Sequence, residues 1–247
     1  MKVIGVIPAR YGSTRLEAKV LIKMAGKPMI WHVWNRAKQS KLLNDVIIAC
    51  DDERVRKAAV EFGANAVLTS KDHTSGSDRI AEVVNPLDVD IVVNIQGDEP
   101  LIHPSMIDDL VRLLLDDKEC VMGTVIKPLT DEAQLADPNI VKAIIDKNKY
   151  AIYFSRSTIP YNRNKIPIGE IGYYKHLGIY GYRKEFLFTF KNLPKSRLEK
   201  AEQLEQLRAL EAGYKIKTVE TKFDTISVDV QEDVVRVEEF LKSQRLS

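Results

Sequence analysis

The sequence predicts an α/β fold of three layers, with helices on both faces of a mostly parallel sheet. Two observations carry this. Short apolar runs alternate with helix-period stripes through the first half of the chain. The runs Val3-Ile4-Gly5-Val6-Ile7, Val46-Ile47-Ile48-Ala49-Cys50 and Ile91-Val92-Val93-Asn94-Ile95 are almost unbroken in apolar residues, as in strands covered on both faces. In such folds ligands bind beyond the carboxyl ends of the strands, so Arg10, Asp51 and Asp98 can share one crevice.

Pro8 ends the first strand on this reading, because it has no N–H for the ladder. Pro28 opens a helix striped by Ile30, Val33, Trp34 and Ala37. Val46–Cys50 is the second strand. Val55, Ala58, Ala59 and Phe62 stripe the next helix, and Gly63 stops it. Ala66–Leu68 is a short strand. The turn from His73 to Gly76 leads into a helix that Ser77 or Asp78 can cap. After Ile91–Ile95, Pro104 precedes a helix striped by Met106, Ile107, Leu110, Leu113 and Leu114.

The texture changes after about Cys120. Val141–Asp146 and Tyr150–Arg156 read as a hairpin around Lys147-Asn148-Lys149. Seven of the nine tyrosines lie between Tyr150 and Tyr182, so this region is a ligand-binding sheet face, a subunit interface or a set of half-buried strand tyrosines. Asn162–Gly172 reads as an exposed loop. Leu198–Ala212 is one helix ending at Gly213, with Ala201, Leu204, Leu207 and Leu210 on one side and Glu202, Glu205 and Gln206 on the other. Val230, Val234, Val237 and Leu241 stripe a last helix.

Composition narrows the function. Apolar residues make up 45% and charged residues 29% of 247, values of a water-soluble globular chain. A net charge of +2 argues against nucleic acid or a membrane surface as partner, so any electropositive function is local. Cys50 and Cys120 sit in apolar runs as buried thiols, which fits a reducing cytoplasm. Pro8 and Arg10 break the first apolar run too early for a signal peptide. No run approaches the roughly 18 residues of a membrane span.

The first loop carries the strongest chemistry. Gly12, Ser13 and Thr14 let backbone N–H groups approach a ligand, and Arg10, Arg15 and Lys19 supply charge for a polyphosphate. Neither G-x-x-x-x-G-K-[ST] nor G-x-G-x-x-G is present, so a solvated basic loop remains the alternative. Asp98, at a strand end, suits Mg²⁺, which takes one or two protein carboxylates plus phosphates; a turn-forming Asp is the alternative. Asp229 is a second acid, or a cap for the last helix. The side of the helix that carries Glu205 and Gln206 is solvated or offers acceptors to sugar hydroxyls. His176 is a lone strand histidine. No zinc spacing and no G-x-S-x-G elbow occur.

Six motifs in order cover nearly the whole chain: Pro8-Ala9-Arg10-Tyr11-Gly12-Ser13-Thr14-Arg15-Leu16, His73-Thr74-Ser75-Gly76, Gln96-Gly97-Asp98-Glu99-Pro100, Ser155-Arg156-Ser157-Thr158-Ile159-Pro160, His176-Leu177-Gly178-Ile179-Tyr180-Gly181-Tyr182 and Leu204-Glu205-Gln206-Leu207-Arg208. Together they resemble the 3-deoxy-manno-octulosonate (Kdo) cytidylyltransferases. The resemblance implies a Rossmann-like nucleotidyltransferase domain over 1–247, with a mixed sheet and an inserted β-rich sugar-binding and dimerisation region at about 120–185. It implies that CTP and Kdo give CMP-Kdo and pyrophosphate, for lipopolysaccharide biosynthesis, in a cytoplasmic homodimer.

Carried onto this sequence, the resemblance makes Arg10, Lys19, Asp98 and Asp229 catalytic, with Mg²⁺ on Asp98 and Asp229. CTP would meet Ala9, Arg10, Ser13, Arg15, Lys19, Ser75, Gly76 and Arg79. Kdo would meet Gln96, Arg156, His176, Tyr180, Glu205 and Gln206, with Arg156 suited to its carboxylate. Two departures stand out. Glu17-Ala18 replaces the Pro-Gly usual before the lysine, and Val230-Gln231 replaces the usual Thr-Pro after Asp229. A transferase for another acidic sugar, and a nucleotide-binding regulator without turnover, are the competing readings.

Overall fold

The computed structural model describes residues 1–12 and 16–243. The strands are β1 (Val3–Ala9), β2 (Lys23–Met24), β3 (Lys27–Pro28), β4 (Asp45–Cys50), β5 (Asn65–Leu68), β6 (Ile91–Asn94), β7 (Met122–Pro128), β8 (Lys142–Ile145), β9 (Ala151–Ser155), β10 (Tyr174–Arg183) and β11 (Lys217–Glu220). The helices are α1 (Met29–Ala37), α2 (Glu53–Glu61), α3 (Gly76–Val84), α4 (Pro104–Asp116), α5 (Glu132–Ala136), α6 (Ile168–Ile171), α7 (Lys184–Asn192), α8 (Arg197–Glu202), α9 (Leu207–Glu211) and α10 (Gln231–Ser243).

The main sheet runs β11-β7-β10-β6-β1-β4-β5. β5, β4, β1 and β6 are mutually parallel, β10 is antiparallel to β6 and β7, and β11 is parallel to β7, so the sheet is mixed. The β8–β9 hairpin attaches through β10. The region from 120 to 185 is thus not wholly an insertion: β7 and β10 belong to the main sheet.

β1 shows why the sheet forms. Val3, Ile7 and Ala9 join the core under α1, α2, α4 and α10, while Ile4 and Val6 join the core under α3, α7 and α9. Both faces are dry, and each buried Val or Ile is worth roughly 1.5–3 kcal/mol. α4 lies so close on β10 that a Cβ on Gly181 would meet Leu114 at 2.5 Å.

Pro8 does not end β1. Val6 accepts from Ile95 N, so alternate residues from Val6 face β6, and that ladder stops at Val6↔Asn94. The missing N–H of Pro8 falls past it, while pairing with β4 continues through Pro8↔Ala49 and Ala9↔Cys50. Ser75, not Ser77 or Asp78, caps α3, accepting from Asp78 N at 3.1 Å. The single helix expected over 198–212 is two, because Gln203 takes a left-handed conformation (φ +54°) and turns the chain between α8 and α9. The expected loop at 162–172 holds the short α6.

Candidate active site

The carboxyl ends of β1 and β6 form one wall of a cleft of about 620 Å³, within the size range of small-molecule sites. β1 brings Pro8 and Arg10 to it, with Ala9 buried beneath, and the turn after β6 brings Gln96, Gly97 and Asp98. A Cβ on Gly97 would sit 2.6 Å from the Pro8 carbonyl oxygen, so only glycine lets the two strand ends approach this closely. Ser75 and Gly76, at the start of α3, complete that side. The opposite wall is Lys195, Glu199, Lys200, Gln203, Glu205 and Arg208.

The loop after β1 is fixed at its root. Tyr11 N donates to Asp51 Oδ1 at 2.9 Å, and the Arg54 guanidinium stacks 3.5 Å from the Tyr11 ring centroid. Arg54 is itself forked onto Asp52, with both distances 2.8 Å. Asp51 also receives Arg79 Nη2 at 3.3 Å, and Arg79 donates further to Thr69 Oγ1 and the Ser70 carbonyl. Arg79 is fully buried, so it props the loop from beneath and is absent from the cleft lining. Ser13 and Arg15 lie outside the described residues.

Ala18, in left-handed backbone at φ +50°, turns the returning chain so that Lys19 enters the cleft. Lys19 Nζ donates to Asp98 Oδ2 at 2.7 Å and to Asp229 Oδ1 at 3.2 Å. Burial is the largest influence on this ammonium and favours its neutral form, but Asp98 and Asp229 together outweigh it and hold its pKa above the usual lysine value. Val228 N donates to the Asp98 carbonyl at 2.9 Å, which ties the two acidic segments together. Asp229 lies two residues ahead of α10, and Asp233 rather than Asp229 accepts from the N–H groups of Asp229 and Val230.

Asp98 and Asp229 thus converge on one cation. Two hard carboxylates beside a basic loop fit Mg²⁺, which completes its shell with water and phosphate oxygens. Among the described residues no cluster of three or more His, Cys, Asp or Glu forms a site of the zinc kind.

The sugar-side residues divide. Gln96 and Glu205 line the cleft; Arg156, His176, Tyr180 and Gln206 do not. Gln96 is oriented by donating to the Gly178 carbonyl at 3.1 Å. Glu205 Oε2 accepts from Ser77 Oγ at 3.3 Å. Arg156 Nε donates to the Glu202 carbonyl at 2.8 Å and Nη1 to the Pro138 carbonyl at 3.1 Å, while the Glu202 carboxylate binds Ser155 Oγ and Arg156 N. Glu202 and Glu205 therefore do not share a helix face. His176 lies on Phe154 and Tyr180, and its Nε2 is 2.9 Å from Thr124 Oγ1. Thr124 donates to the Ile179 carbonyl, so that nitrogen carries the hydrogen. Burial pulls the His176 pKa down to about 3, and the ring is neutral. Tyr180 is half-buried, and its phenol pKa is pushed well up, first by desolvation and then by Glu205.

Lys195, Glu199, Lys200, Gln203 and Arg208 were not expected here, since an unbroken amphipathic helix would have turned its charges to solvent. Only Ser196-x-x-Glu199, the pattern of a capping box, marks the true helix start; both of its hydrogen bonds form.

Basic groups at strand ends, and a carboxylate pair sharing one cation, are the setting that a nucleotidyltransferase needs. The chain belongs to the cytidylyltransferase family, whose model matches residues 4–216. It is 47% identical to the 3-deoxy-manno-octulosonate cytidylyltransferase of Solibacter usitatus, over 99% of this chain and 96% of that protein. It is also 47% identical to the same-named protein of Fusobacterium nucleatum, over 100% and 99%. Among solved structures, CMP:2-keto-3-deoxy-manno-octonic acid synthetase complexed with CTP matches with a TM-score of 0.93 and 41% identity, covering 99% of this chain and 100% of that one. The 4-diphosphocytidyl-2C-methyl-D-erythritol synthase of Anaerococcus prevotii (TM-score 0.63, 15% identity, 98% of each chain) shares the fold.

Proposed function

We infer that this chain transfers CMP from CTP to 3-deoxy-D-manno-octulosonate, giving CMP-Kdo and pyrophosphate. One observation carries the reading: Lys19 stands between Asp98 and Asp229 in a cleft with basic groups on both walls. The 41% identity to a synthetase complexed with CTP supports it.

The sugar's anomeric hydroxyl attacks the α-phosphorus, and the bond to the β,γ-diphosphate breaks. Arg10 and Lys19, with Ser13 and Arg15 of the same loop, neutralise the triphosphate and the charge that grows on the departing pyrophosphate. Ser75 and Gly76 hold the cytidine, over a loop root that Arg79 keeps rigid. Asp98 and Asp229 would hold Mg²⁺, which lowers the pKa of a bound hydroxyl and polarises phosphate oxygens. Gln96 and Glu205, which line the cleft, take the sugar hydroxyls; Arg156, His176, Tyr180 and Gln206 lie outside that lining and support the sugar side from behind it.

Residues 1–247 act as one catalytic unit. The pairing surface of a homodimer is the tyrosine-rich region, where Ile152 and Tyr161 are 59% and 87% exposed. Among the described residues no helix is long and apolar enough to cross a membrane, and a cytoplasmic enzyme of lipopolysaccharide biosynthesis fits the substrate pair. The test is a sugar panel: Kdo, an amino analogue of Kdo and a sialic acid, each with CTP and Mg²⁺. The highest kcat/KM is expected with Kdo, and a higher value with either competitor would reassign the sugar.

A further inference from the structure

Glu199 and Arg208 come from the two halves of the broken helix and meet under the cleft wall. Arg208 Nε donates to Glu199 Oε2 at 2.8 Å and Nη2 to Oε1 at 2.6 Å, both side chains being buried. Glu199 also accepts from Ser196 N at 3.2 Å, so its carboxylate is held from both sides. The pair closes the turn made by Gln203. The same Arg208 Nη2 lies 3.8 Å from Glu205 Oε1, close enough for charge attraction but beyond a hydrogen bond. Glu205 Oε1 is buried with no hydrogen-bond donor, while Oε2 is held by Ser77.

We propose that Arg208 is a positioning residue for the sugar site: held by Glu199, it fixes Glu205 with one carboxylate oxygen left without a protein donor, the acceptor for a sugar hydroxyl. The proposal rests on the sugar-transfer reading of the cleft. A buried acceptor with no donor is costly, and a ligand O–H is the group that completes it. The charged groups acting on Glu205 are Arg208 from α9, Glu199 from α8 and Asp78 from α3; the neutral phenols of Tyr180 and Tyr182 face it from β10. Arg10 and Lys19 line the far wall. Burial raises the Glu205 pKa, and Arg208 is the principal opposing influence.

The experiment compares wild type, Arg208→Met and Arg208→Lys for KM of Kdo and of CTP, melting temperature, and kcat/KM for Kdo against pH. Arg208→Met is expected to raise the Kdo KM about tenfold and leave the CTP KM within about twofold. Its acid limb is expected to move to higher pH, because Glu205 then takes up its proton earlier. Arg208→Lys, which restores the charge without the fork, is expected to return the acid limb but not the full Kdo KM. An unmoved acid limb in Arg208→Met, or equal rises in both KM values, overturns the proposal. If Arg208→Met does not fold, Arg208→Lys decides: an unchanged Kdo KM overturns it. Wild-type turnover with Kdo is read first and alone judges the parent reading.

Discussion

Lys19 and Asp98, 79 residues apart in the chain, form an ion pair of 2.7 Å that joins the basic loop after β1 to the strand-end carboxylate. Asp229 reaches the same ammonium from the start of the last helix. Three distant segments thus place two acids and a base around one point, and phosphate chemistry needs that arrangement more than the fold does. Lys19→Met is expected to cut kcat about 100-fold or more. Asp98 and Asp229 stay partly open to water, so the stability change is expected to be about 1 kcal/mol or less. Turnover and urea denaturation on one preparation check both. A loss of stability as severe as the loss of rate would make Lys19 a structural residue.

Gly97→Ala drives a methyl group into the Pro8 carbonyl, which is backbone and cannot rotate away. The variant should lose about 2 kcal/mol of stability. It should lose more activity than Lys19-remote core variants of equal stability, because the displaced segments carry Arg10 and Asp98. A melting curve and turnover equal to the parent's would show that the two strand ends are not in close contact.

Ala18 holds a left-handed backbone that costs a residue with a Cβ about 1 kcal/mol. Ala18→Gly removes that strain but adds freedom to the unfolded chain, so a net gain of about 0.5 kcal/mol is expected. Denaturant midpoints measure it. A destabilised Ala18→Gly would mean that the turn into Lys19 is not left-handed.

His176 and Glu99 give opposite pH slopes. His176 binds a proton only near pH 3 when folded but near 6.5 when unfolded, so between these values the unfolded chain holds more protons. Stability is therefore lost as pH falls through that window. Glu99 is pushed up to about 7 by burial, with Asp98 adding and the Thr225 hydroxyl opposing, against 4.5 unfolded. It holds its proton in the folded state, and its contribution is lost as pH rises from about 4.5 to 7. Relative to the parent, His176→Gln should lose less stability on acidification from 6.5, and Glu99→Gln should lose less as pH rises through its window. Differences that run the other way would reverse the protonation states assigned to these two groups.

The sheet was legible because strands covered on both faces write themselves as unbroken apolar runs; β1, β4 and β6 stand where Val3, Val46 and Ile91 begin those runs. Pro8 misled because a missing N–H matters only on the side where a partner strand continues. The break at Gln203 was hidden, since a left-handed residue other than glycine leaves no compositional mark, and with it went the cleft roles of Glu199 and Arg208. Arg10, Lys19, Asp98 and Gln96 were legible as polar residues next to strand ends or on the loop. Arg79 was not, because a guanidinium serving Asp51, Thr69 and Ser70 reads in sequence like one serving a ligand.

Phosphorus NMR of the protein with CTP, Kdo and Mg²⁺ tests the central claim most directly. The account predicts that the three CTP resonances decay together while a CMP phosphodiester signal and pyrophosphate grow in equal amounts, only when Kdo is present. CTP signals that persist with Kdo, or pyrophosphate that appears without it, would contradict the account.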